Sequence, residues 1–228
     1  MANPDKPRGL VPVKGRNGAS WDVALAVPCL PDDTTESAHS NYYIGTPVTL
    51  SDVETEGFAE GFNHLPVVAP MIDEDDEVAT VAQMCYGVVV GVGNTENATG
   101  DPQNYGMFDA SDLTKRYVDS AEIEADETAN VLWVALAKDW IYEIQTDAAL
   151  TGAQVGEAVD INVADTSDIT TGSTTTGLSN VEITAIEGGN FTIVAVPERV
   201  DNDPDLANAD FHVVATNPYG GGAAPNMV

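Results

Sequence analysis

The chain has 228 residues, 43% of them hydrophobic, with 20 glycines and 13 prolines, enough for a substantial core without disulfide staples. Eight lysines and arginines face 37 acids, a net charge of -29 that excludes a conventional nucleic-acid-binding surface and opposes adsorption to anionic lipid. The balance is uneven: residues 1–21 set Lys6, Arg8, Lys14 and Arg16 against Asp5 alone, so a basic opening precedes an acidic body.

Residues 1–34 contain Pro4, Pro7, Pro12, Pro28 and Pro31. Proline at this density removes backbone donors and favours extended chain, which predicts an N-terminal arm with Leu10, Val11, Val13 and Trp21 as apolar anchors. The opening lacks the apolar middle of a signal peptide and no run of 18 apolar residues follows, so the chain is expected to be soluble and not secreted. Residues 35–219 read as a β body of short runs between turn residues: Tyr42–Ile44, Val48–Leu50, Leu65–Ala69 and Val81–Val92. Residues 93–107 are a polar loop rich in Asn, Gly and Pro. The acidic segment Ala121–Asn130 reads as strand plus turn. In the following strand Trp140, Tyr142 and Ile144 form one stripe while Asp139, Glu143 and Gln145 lie on the other, predicting a half-buried sheet face. A short helix is expected over Asp147–Glu157, capped by Asp147 or Thr151 and stopped at Gly156. Residues 165–180 form a surface loop. VEITAI, FTIVAV and FHVVA then supply three strands, the first two joined as a hairpin through Glu187-Gly188-Gly189-Asn190. Residues 220–228 form a tail with little to pack. With roughly nine strands and no amphipathic helix between them, the fold class is all-β: an antiparallel β-barrel or sandwich-like body with an extended arm.

The chemistry-bearing motifs are weak. Gly91-Val92-Gly93 follows a β run, but Glu96 stands where a dinucleotide loop needs its third glycine, and a carboxylate there repels pyrophosphate. His39, His64 and His212 are widely separated, and His212 in FHVVA reads as a sheet histidine. Cys29 and Cys85 read as free, small core residues. With 37 carboxylates, close pairs arise by crowding alone and none identifies a glycosidase. Asp73–Glu77 and Asp201–Asp205 offer hard oxygen ligands; the second begins like a calcium loop but has Leu206 in place of the required glycine and His212 in place of the closing glutamate. No enzyme activity, catalytic residue, cofactor or metal site is assigned.

Several stretches recur together in this order: NPDKPRGLVPVKGRNGASW, YYIGTPVTLSD, DWIYEIQTD, STTTGLSNVEIT and VPERVDNDPD…FHVVATNP. Together they resemble the head decoration, or cement, proteins of tailed bacteriophages, from Asn3 to about Pro218. The resemblance implies a structural virion protein on the outer surface of the capsid, bound to the major capsid protein and stabilising its shell, as a trimer or dimer. It makes residues 1–34 a capsid-binding arm, with Arg8 and Arg16 pairing with shell carboxylates and Leu10, Val13 and Trp21 buried against the shell. On that reading, deleting residues 2–21 leaves the body folded and weakens attachment, and Trp21→Ala alone weakens it by about 2 kcal/mol. A tail- or fibre-associated β domain, a calcium-dependent binding module and a glycan hydrolase stand as alternatives.

Overall fold

The computed structural model describes residues 3–22, 25–32, 41–51, 65–71, 84–94, 117–119, 123, 130–150, 155–161, 172–184 and 189–218. In chain order its strands are β1 (Val11–Gly15), β2 (Val27–Pro31), β3 (Tyr42–Tyr43), β4 (Pro47–Leu50), β5 (Val67–Pro70), β6 (Gly87–Asn94), β7 (Tyr117–Val118), β8 (Asn130–Leu136), β9 (Trp140–Gln145), β10 (Ala158–Ile161), β11 (Ile183–Thr184), β12 (Phe191–Ala195) and β13 (Asp210–Ala215). The chain is all-β with several sheets, and every strand pair but one is antiparallel.

Five strands pair in the order β2-β5-β4-β6-β8, and β8 pairs back onto β2, so this ladder closes on itself. The exception to antiparallel pairing lies here, where Leu30 and Pro31 of β2 run parallel to Val67 and Val68 of β5. Alternation fills the ring: Cys29, Val48, Val68, Val89, Leu132 and Val134 are buried together. A six-stranded sheet has the order β1-β9-β13-β12-β10-β11. Its far edge curls back, because Ile183 of β11 bridges Thr146 at the end of β9 and accepts a hydrogen bond from the Asp147 amide at 3.2 Å. One apolar cluster joins the two parts: Trp140, Tyr142, Ile144, Phe191 and Phe211 of the sheet pack in it with Val88 and Ala135 of the ring. The Tyr142 hydroxyl donates to the Ala135 carbonyl at 2.8 Å, satisfying the one polar atom that this buried side chain carries.

Several expectations need correction. Residues 1–34 are not a separate arm: β1 pairs with β9, and β2 is a member of the closed ring. Pro12 is tolerated because β1 is an edge strand. Of the polar stripe only Asp139 is exposed, since Glu143 and Gln145 are as buried as the apolar stripe. Glu187–Asn190 does not join a hairpin of β11 and β12, because β10 pairs with both and lies between them. Gly189 (φ +76) answers to that insertion: a Cβ there would lie 2.6 Å from the Ala158 Cβ at the start of β10. Of the expected helix over Asp147–Glu157, the described parts, residues 147–150 and 155–157, are bends and turns. Ile123, read as strand or turn, is helical, with its amide bonded to the Asp119 carbonyl at 3.2 Å and its side chain buried with the ring residues. The polar loop begins later than expected, since Gly93 and Asn94 still belong to β6. His39, His64, Asp73–Glu77, all of residues 95–107 and the tail at 220–228 lie outside the described residues. Among the described residues no helix is long and apolar enough to cross a membrane.

Candidate functional site

Of the residues expected to engage a partner, Arg8 lies on the polar face of β9, the face that carries Glu143 and Gln145. Residues 3–10 run across it as a strap, held by the Gln145 side chain, which donates to the Pro4 carbonyl and accepts from the Lys6 amide, both at 2.9 Å. A primary amide serves well here because it offers a donor and an acceptor to an extended backbone at once. Asn3 fastens the start of the strap in the same way: it donates to the carbonyls of Asp203 at 2.8 Å and Ala207 at 3.0 Å and accepts from the Asp203 amide at 2.9 Å.

Beneath the strap sits Glu143, its side chain 4% exposed. Arg8 of the strap pairs with its Oε1 and Arg199 with its Oε2, while His212 Nε2 lies 3.2 Å from Oε2. Arg199 also donates to Asp210 at 2.9 Å. A buried carboxylate needs such a shell, because its desolvation is offset only when both oxygens find charged or polar partners. Asp210 titrates above the ordinary carboxylate range, first through burial and then through the neighbouring Glu143 charge; Arg8 and Arg199 oppose the rise.

The five predicted arm residues divide sharply. Leu10 is a core residue, 1% exposed, and its amide bonds the Gly45 carbonyl at 3.0 Å. Arg8 is spent on Glu143. Trp21 packs edge-on against Trp140 with ring centroids 4.8 Å apart, so its apolar face is covered by its own body. Val13 is half-buried on β1, and Arg16 is exposed, donating to the Ala215 carbonyl at 3.2 Å. The structure thus brings Arg8 and Leu10 into the body and leaves Val13, Lys14 and Arg16 along the outer sheet edge.

The clamp residues Glu143, Arg199, Asn3 and Gln145 were not singled out from sequence. The available signal was two polar residues of long reach in a strand opposite an apolar stripe, which reads equally well as a solvated face. The Asp201–Asp205 turn, considered for calcium, is organised by amides instead: Asn202 donates to the carbonyls of Pro197 and Asp210, both at 3.0 Å, and accepts from the Asp210 amide at 2.7 Å. Among the described residues no group of three or more His, Cys, Asp or Glu side chains is placed to hold a metal ion. Cys29 and Cys85 are free and buried, and burial pushes the Cys85 thiol up to about 12 and the Cys29 thiol higher still, which keeps both protonated and unreactive at neutral pH. The chain matches no protein-family model, no curated protein and no solved structure.

Proposed function

We propose that the protein is a non-enzymatic virion component that decorates the outside of a bacteriophage capsid and stabilises the major capsid protein shell. In this reading the body is a β-barrel capped by a curled sheet, and attachment runs through the sheet edge at β1 rather than through a free arm. The observation that carries it is the placement of Lys14 and Arg16, exposed at that edge of a chain whose net charge is -29. The backbone at this end of β1 is covered by its own turn, Ser20 bridging Lys14 and the Gly15 amide bonding the Ala19 carbonyl at 2.8 Å, so attraction rests on the two cations, which favour an acidic partner loop that the remaining surface would repel. The locked strap and buried clamp supply the resistance to unfolding that a cement needs, and the sequence resemblance names the shell as the partner.

Undecorated shells assembled from the phage's major capsid protein test this by co-sedimentation and by the temperature at which they rupture. Saturable binding of the intact chain with a raised rupture temperature is expected, and absence of both overturns the reading. Lys14→Glu should weaken binding about tenfold without moving the melting temperature. Equal binding by that variant would displace attachment from β1 while leaving the function intact.

A further inference from the structure

We infer that Asn17 is a site of self-modification: its side chain cyclises onto the backbone of Gly18, and the chain ages into a form with isoaspartate or aspartate at position 17. Asn17-Gly18 is the single Asn-Gly pair in the sequence. Glycine after the asparagine matters because the attacking atom is its backbone nitrogen, which no Cβ shields. Asn17, Gly18 and Ala19 are all exposed in the turn that follows β1, and a Cβ on Gly18 would meet nothing within 4 Å. The Asn17 side chain is already folded along the backbone that attacks it. Its Oδ1 accepts from the Ala19 amide at 2.9 Å and lies 2.8 Å from where a Cβ on Gly15 would stand, so Gly15 leaves the room for this fold.

The reaction needs only water. The Gly18 nitrogen gives up its proton to solvent and adds to the Asn17 Cγ, and negative charge gathers on Oδ1, where the Ala19 amide is placed to receive it. A C–N bond forms, the side-chain nitrogen takes up a proton from solvent and leaves as ammonia, and a five-membered succinimide remains. Water then opens the ring: addition at the side-chain carbonyl yields aspartate, and addition at the backbone carbonyl yields isoaspartate, in which the chain runs on through Cγ. No atom is oxidised or reduced. The folded turn sets one gate, since the Gly18 amide donates to the Gly15 carbonyl at 2.8 Å and must release it first. A turn this exposed opens locally, without unfolding of the body. Asn3 and Asn217, by contrast, precede prolines, which have no N–H; Asn202 precedes Asp203, whose amide is held by Asn3; and Asn208 precedes Ala209, whose buried amide bonds Thr146. Either product sets a carboxylate beside Lys14 and Arg16, and isoaspartate also adds a backbone carbon to the turn that covers the end of β1. This inference is independent of the capsid reading.

Mass spectrometry of the full chain, held for several weeks at mildly alkaline pH and physiological temperature, tests the inference. A protease that cuts before aspartate releases residues 5–21, in which Asn17 is the sole asparagine. Isoaspartate leaves that fragment uncut and about 1 Da heavier, whereas aspartate adds a new cut before position 17. The two products together should accumulate at least about tenfold faster than the same change at Asn208, read in the fragment 205–209. Gly18→Ala should slow their appearance about tenfold, because the added Cβ crowds the attacking nitrogen. Asn17→Gln, whose ring would need one more atom, should leave the fragment unchanged over the same period. An unaltered fragment 5–21 in the natural chain, a rate at Asn17 no faster than at Asn208, an equal rate in Gly18→Ala, or the same mass gain in Asn17→Gln would each overturn the assignment.

Discussion

Glu143 shows how one buried side chain can join distant parts of a chain. Its two oxygens are shared by Arg8 and Arg199, with His212 against the second. Glu143→Ala removes the buried carboxylate that both guanidiniums bind, but Asp210 remains at 2.9 Å from Arg199 and 3.9 Å from Arg8, and their side chains are 38% and 42% exposed, so Asp210 and water recover part of the loss. The expected cost is about 2 kcal/mol, below that of a fully buried broken pair, read from the midpoint of urea unfolding. Trp21 invites a different test. Because its ring stands against Trp140, Trp21→Ala should lower stability by about 1–2 kcal/mol, and any change in partner binding should vanish once folding is restored by milder conditions. The deletion of residues 2–21, expected from sequence to spare the body, would instead strip β1 from β9 and Leu10 from the core.

At the scale of elements, the strap and the ring meet through two glycines. Gly9 (φ +66) and Gly45 (φ +96) lie back to back: a Cβ on Gly45 would stand 2.5 Å from the Arg8 carbonyl oxygen, and one on Gly9 would stand 2.6 Å from the Gly45 oxygen. Gly45→Ala therefore combines a disfavoured φ with a backbone collision, and should cost about 2–3 kcal/mol in thermal or urea unfolding. What could be read from sequence follows the same division between local and long-range causes. The alternation of Trp140, Tyr142 and Ile144 is a period within one strand, so their shared buried face was legible. The burial of Glu143 depends on Arg8 and Arg199, far off in sequence, and no local pattern carries that information. The Glu187–Asn190 turn failed for the same reason: its composition suits a hairpin, but β10 competes for both flanking strands. Proline density predicts extended chain over residues 1–34, where the described residues include the strap, β1 and β2, but extension is not freedom, because an extended segment can also be a strand or a strap.

For the molecule as a whole, charge sets the working conditions. A net charge of -29 places self-repulsion on the folded state that salt screens. Raising sodium chloride from 20 to 500 mM, both about the limits of a convenient buffer series, should raise the melting temperature by about 3 °C or more, whereas a fall would show that screened ion pairs such as Arg199–Asp210 outweigh the general repulsion. The strap also has a consequence in time. Residues 3–8 are synthesised well before Gln145, Glu143 and Asp203, which receive them from the second half of the chain. Closing so long a loop costs chain entropy before its contacts repay it, which predicts that these contacts form after the rate-limiting barrier rather than at it. The clamp should accordingly act as a brake on opening: Glu143→Ala should speed unfolding several-fold in stopped-flow measurements and leave the refolding rate nearly unchanged, so a segment made early becomes the last to be fastened and sets how long the folded molecule endures.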